Sequence, residues 1–211
     1  MKLHIINVDD LALTAGVTRG IIDAPLRGIA TSTRALMSSP SVASNLAQAG
    51  AMAPNLGFGV HLALTKGKPV LPATEVPNLT DNFGCFYPLD ALRANLVPLD
   101  LDEVKKEWQA QIEAFTAGGF LPHHLDSHHH ISYSNASLLS VMLEPAHQHG
   151  LPVRYLTLTE TQILNNETAG EWFEKLPIRR PQTCITTFYG IKRVWGCWQI
   201  FSPTCLKASA N

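Results

Sequence analysis

The chain has 211 residues, 45% apolar and 16% charged, with a formal net charge of −1, which allows one sizeable core, leaves too little for two ordinary enzyme domains and excludes a disordered chain. There is no basic footprint for nucleic acid or a membrane surface, and no apolar run reaches the roughly 18–20 residues of a membrane helix. The opening Met1-Lys2-Leu3, a short apolar run and Asp9-Asp10 do not read as a signal peptide, so a cytoplasmic protein is expected.

Leu3 to Val8 is a β-branched apolar run that stops at two acids, the pattern of a buried strand ending in polar residues. A helix is predicted from Ala15 to Arg27, where Val17, Ile21, Ile22 and Leu26 recur at helical spacing and Pro25 must end or kink it. Ile29 to Met37 reads as a second strand, Ser41 to Met52 as a small-residue helix, and Leu56 to Leu64 as a third strand containing His61. Pro69 to Pro98 is rich in breakers and reads as a long excursion over the mouth of a sheet or barrel. Glu103 to Ala117 is the clearest helix: Val104, Trp108, Ile112 and Phe115 share a face, Asp100 can cap it, and Gly118-Gly119 stops it. His123 to His130 is predicted as a strand, Ala136 to His149 as a helix with Pro145 inside, and Val153 to Leu158 as a further strand. Alternating strands and helices predict a parallel α/β fold.

The end of the chain has a different character. The 37 residues after Glu174 contain no acid, yet they hold three of the four cysteines and two of the four tryptophans. No helix or strand period is evident from Lys192 to Asn211. The stretch reads as a basic tail, or as a chain end altered by truncation or frameshift. With no CxxC pair, Cys85, Cys184, Cys197 and Cys205 are expected to be free thiols.

Three segments carry the candidate chemistry: Asn7-Val8-Asp9-Asp10, Gly59-Val60-His61-Leu62 and His124-Leu125-Asp126-Ser127-His128-His129-His130. Each lies near the end of a predicted strand, and parallel α/β folds gather their sites at those ends. Strand alternation would point His124, Asp126, His128 and His130 one way and His129 the other. Imidazoles crowded on one face are costly to bury unless something binds them, and two imidazoles with one carboxylate form a frequent open site for a divalent metal. Taken singly, Asp9-Asp10 reads equally as a helix cap, and His61 as a core histidine. Ser32 and Thr33 fit a strand as well as a substrate contact, and Arg154 reads as a surface arginine or as an anchor for a sugar or acetate.

These residues also resemble a family. The stretches IINVDD, GVTRGIIDAPLRGIATSTRALM, LGFGVHLALTKGKPV and HHLDSHHH with its following helix are similar to those of the YdjC-like (ChbG/HpnK) carbohydrate deacetylases, from about Leu3 to Tyr189. The resemblance implies a TIM-barrel-like (βα) fold, incomplete at its C-terminal end, with a deacetylase domain over 1–190 and a divergent basic tail over 191–211. It implies removal of N-acetyl groups from amino sugars such as chitooligosaccharides, with Asp10, His61 and His128 as metal ligands and Asp9 as general base. Magnesium is the favoured cofactor and zinc the alternative. Read from the residues themselves, Asp126 orients an imidazole or is a turn or ladder-end carboxylate, His129, His130 and Arg154 are candidates for binding substrate, and His129 or His130 is a candidate proton donor. Two departures stand out. The family continues Asp-Asp with Phe-Gly where this chain has Leu11-Ala12, and it carries a later His-Pro motif where this chain has no histidine after His149. The rival readings are a metal-binding remnant without turnover, a metal-dependent phosphoesterase using Arg34 and Arg154, and a protein-binding module. An amino sugar is the expected partner, with neither nucleic acid nor membrane; the oligomeric state is left open, a homodimer being one option.

Overall fold

A computed structural model of the chain describes residues 3–94, 99–154, 166–185 and 197–201, with the backbone alone at 3, 166–170, 185 and 197–201. The apolar N-terminal run forms β1 (Leu3–Leu11), which pairs in parallel with β2 (Ser32–Leu36). Parallel pairing continues to β3 (Gly57–Leu62) and β4 (Leu125–Ser127), and Val153 extends it by an isolated parallel bridge to Leu125. The parallel strands with the helices between them form a half-barrel of the expected α/β class.

On the other side of β1 the sheet turns antiparallel. β6 (Cys197–Phe201) pairs with β1, and β5 (Thr183–Ile185) pairs with β6, giving the order β4-β3-β2-β1-β6-β5 among the described residues. The stretch read as lacking any strand period therefore contributes a strand. Five residues are too few for alternation to stand out, and pairing rather than pattern defines it. The expected division at 190/191, and the expected strand beyond Arg154, fall outside the described residues.

The helices follow the sequence closely because their signals are local. α1 (Ala15–Arg27) starts where Thr14 Oγ1 accepts from Val17 N at 3.1 Å, and Pro25 is accommodated in its last turn. α2 (Val42–Met52) follows β2. A short α3 (Leu89–Arg93) precedes α4 (Leu101–Ala117), whose cap Asp100 accepts from Asp102 N and Glu103 N at 2.9 and 3.2 Å. α5 (Ala136–Gln148) is capped by Asn135, and α6 (Asn166–Lys175) packs against it. Phe58 and Val60 of β3 share the core with Trp108, Ile112 and Phe115 of α4. The alternate residues Gly57, Gly59 and His61 point to the inner face, which is left for chemistry.

The excursion between β3 and α4 is tied along α4. Glu107, fully buried, accepts from Val70 N and Leu71 N at 2.9 and 3.1 Å, and Glu103 accepts from Asn78 N and Nδ2 at 2.9 and 2.6 Å. Gln111 exchanges hydrogen bonds with the backbone of Ala63, just past β3. Two glutamates of α4 are therefore spent on satisfying loop amides.

Candidate metal centre

The end of β1 is irregular. Its register with β2 shifts between Val8 and Leu11, and Asp10 and Ala12 take φ of 70° and 76°. In a regular strand Asp9 and Asp10 would face opposite sides of the sheet. The irregularity re-aims the second carboxylate, so the pair meets side chains from the inner face of β2 and β3 and His128, the residue just past β4.

Asp10, His61 and His128 converge, each offering one ligand atom, with all three atoms within 4.8 Å of one another. Asp10 Oδ1 is 3.0 Å from His128 Nδ1 and 3.3 Å from His61 Nε2. That oxygen is buried and has no partner of hydrogen-bond geometry among the described residues. Ligands about 2.0–2.2 Å from a divalent ion stand roughly 3.0–3.5 Å apart in octahedral or tetrahedral arrangement. The donor set, its spacing and the orphaned oxygen therefore fit such an ion.

The electrostatics fit too. Burial pushes the His61 imidazole down to about 4 against the pull of Asp10, so near neutral pH its nitrogen carries a free lone pair. Burial raises the Asp10 carboxyl, but the His128 and His61 nitrogens outweigh it and hold it well below the usual carboxylate range. Asp9 is likewise raised by burial and more strongly lowered by the Arg34 and Arg154 guanidiniums.

His128 is placed by the chain leaving β4. The strand ends at Ser127, and His128–Tyr133 forms a short 3-10 segment with His129 and His130 at φ of 55° and 54°. The expected strand alternation therefore stops before His128. His129 stacks on His128 with centroids 3.8 Å apart and shares a 2.9 Å hydrogen bond between Nδ1 and Thr65 Oγ1. His130 Nδ1 lies 3.3 Å from Arg154 Nη1, and burial, then the Arg154 charge, push its pKa down to about 3.

Two readings of the sequence need correction. Arg154 is a buried residue, only 2% exposed, and not a surface arginine: its Nη2 lies 3.2 Å from Asp9 Oδ2 and its Nε 3.1 Å from Asp126 Oδ2. Asp126, fully buried, is paired with Arg34 and Arg154 and orients no imidazole among the described residues. Thr33 spends its hydroxyl on Val8 O at 2.7 Å. Sequence reasoning finds no role for Arg34 beyond a phosphate contact, whereas it bridges Asp9 and Asp126, and it gives no separate role to Asn7, whose Nδ2 donates to Asp9 Oδ1 at 2.5 Å. A charged residue inside the apolar run Ile29–Met37 is the available signal.

A half-barrel carrying a carboxylate–imidazole cluster at the carboxyl ends of its parallel strands defines the class. The chain belongs to the YdjC-like protein family, whose family model matches residues 4–199. It is 43% identical over 155 residues to a carbohydrate deacetylase of Enterococcus faecalis, covering 72% of this chain and 58% of that protein. Against a chitooligosaccharide deacetylase of Yersinia pestis the identity is 37%, over 82% of this chain and 68% of that one. A solved structure from E. faecalis, a proposed cellobiose-phosphate cleavage protein, superposes with a TM-score of 0.75 at 39% identity, over 85% of this chain and 66% of that one. The chain thus spans less than two thirds of the length of the E. faecalis relative. No helix among the described residues is long and apolar enough to cross a membrane.

Proposed function

We propose that this chain is the metal-dependent hydrolase domain of a carbohydrate deacetylase, removing N-acetyl groups from amino sugars such as chitooligosaccharides. The observation that carries the reading is the convergence of Asp10, His61 and His128 with Asp9 beside them. The names of the relatives support the substrate class. A divalent cation, magnesium by preference and zinc otherwise, supplies Lewis acidity for an acyl oxygen and for water when bound. Asp10, His61 and His128 hold it. Asp9 accepts the proton of the attacking water, and its ionised state is maintained by Arg34 and Arg154. His129, exposed and hydrogen-bonded to Thr65, would meet the sugar or the departing amine. Both buried arginines are committed to carboxylates, which counts against the phosphoesterase reading.

The test is acetate release from N,N'-diacetylchitobiose with magnesium or zinc, with His128→Ala alongside. Release by the parent and its loss in the variant support the reading. A folded, metal-binding protein that releases no acetate with either ion overturns it in favour of binding without turnover.

A further inference from the structure

Asp9 and Asp126 share the same two cations. Arg34 pairs through Nη2 with Asp9 and through Nη1 with Asp126, while Arg154 pairs through Nη2 with Asp9 and through Nε with Asp126. The four groups close a ring beneath the metal ligands. Arg34 and Asp126 have no side-chain exposure, Arg154 has 1%, and Asp9 reaches solvent with 21%. Burying charge is costly unless it is fully paired. Two guanidiniums serving Asp9 alone would leave one cation uncompensated in the interior. Asp126 makes the charges balance, and its other oxygen is taken by Ser127 N at 2.7 Å. It offers no atom to the Asp10–His61–His128 group, although it is the register partner of His61.

The bonds on Asp9 are uneven. Among the described residues, Oδ1 receives Asn7 Nδ2, Arg34 Nη2 and, at 3.4 Å, Arg154 Nη2, whereas Oδ2 receives Arg154 Nη2 alone, at 3.2 Å. One oxygen is saturated and the other keeps acceptor capacity. We propose that Arg34 and Asp126 are positioning residues which, with Arg154, fix the Asp9 carboxylate in the single orientation that offers Oδ2 to the reacting water. This rests on the role given to Asp9 above. Neither residue touches the reacting atoms; both act through Asp9.

The test uses Arg34→Lys, Asp126→Asn and the paired replacement Arg34→Met with Asp126→Leu. The last removes one cation and one anion together, a change that buried pairs often tolerate without loss of stability. Crystal structures are expected to show the Asp9 side chain turned from its parent rotamer, while titration calorimetry with magnesium and zinc gives affinities within about threefold of the parent. The kcat for acetate release is expected to fall roughly 10–100-fold at unchanged KM, the range typical of lost supporting hydrogen bonds. In an Asp9→Asn background, Asp126→Asn should add no further loss. An Asp9 that keeps its rotamer in every variant overturns the proposal, as do losses that add fully to that of Asp9→Asn. A parent that releases no acetate sinks the functional reading alone, because the placement of Asp9 still decides this one.

Discussion

The imidazole of His124 lies over the backbone of Gly59 so closely that a Cβ at position 59 would come within 2.5 Å of its Cε1 and 2.7 Å of both ring nitrogens. The glycine two residues before His61 is therefore there for space. Gly59→Ala should displace the ring and cost about 1–3 kcal/mol, the usual scale of overpacking. His124→Ala in the same chain should restore most of that loss. Urea unfolding of the two single variants and the double variant measures the coupling; strictly additive losses would show that the ring is not what the glycine accommodates.

Ala12 is fully buried and holds φ of 76°, a region that costs a residue with a Cβ roughly 1–2 kcal/mol. Glycine there relieves the strain but gives back about 0.5–1 kcal/mol in unfolded-state entropy. The net expectation for Ala12→Gly is a gain of roughly 0.5–1 kcal/mol, read as a higher Tm. An unchanged or lower Tm would mean that the surrounding structure has absorbed the strain.

Removing Asp10 should separate metal binding from folding. Asp10→Ala takes away the one carboxylate of the Asp10–His61–His128 group, and affinity for magnesium or zinc is expected to drop by at least two orders of magnitude. The Tm increase that a bound cation produces in the parent should vanish with it. If the increase persists at the same cation concentration, the cation binds elsewhere.

Acid should destabilise the metal-free protein at mild pH. Burial lowers His61 from 6.5 to about 4 and His130 to about 3. Between those values the unfolded chain binds protons that the folded chain refuses, so stability is complete above about pH 6.5 and falls as pH drops toward 4. His61 alone should contribute roughly 1–3 kcal/mol to the fall. The lowered carboxyls of Asp9 and Asp10 extend the loss below their ordinary value of 3.8. Urea midpoints at pH 7.5, 6, 5 and 4.5 check the slope, and a midpoint that holds steady down to 4.5 contradicts it.

Glu107 secures the excursion between β3 and α4. It is fully buried, burial raises its pKa, and it accepts from Val70 N, Leu71 N and Gln111 Nε2. Glu107→Ala strands these donors and should cost about 2–4 kcal/mol. Limited proteolysis should then cut first within residues 69–94. Cleavage elsewhere, at parent-like rates in this stretch, would show that the glutamate is not its anchor.

Much of the molecule is legible in its amino-acid sequence, for a physical reason. Helix faces, caps such as Asp100 and the apolar run of β1 are set by residues within a few positions of each other. The convergence of Asp10, His61 and His128 is legible because parallel strands deliver their carboxyl ends to one place. What the chain does not show by itself depends on distant residues meeting. Whether Asp10 faces the same side as Asp9 turns on a register shift and a positive φ. Whether Arg34, Arg154 and Asp126 are surface charges or a closed ring depends on β1 to β4 and the Val153 bridge assembling into one sheet, with 145 positions between Asp9 and Arg154. Burial and pairing settle the role of a charge, and both are properties of the assembled sheet.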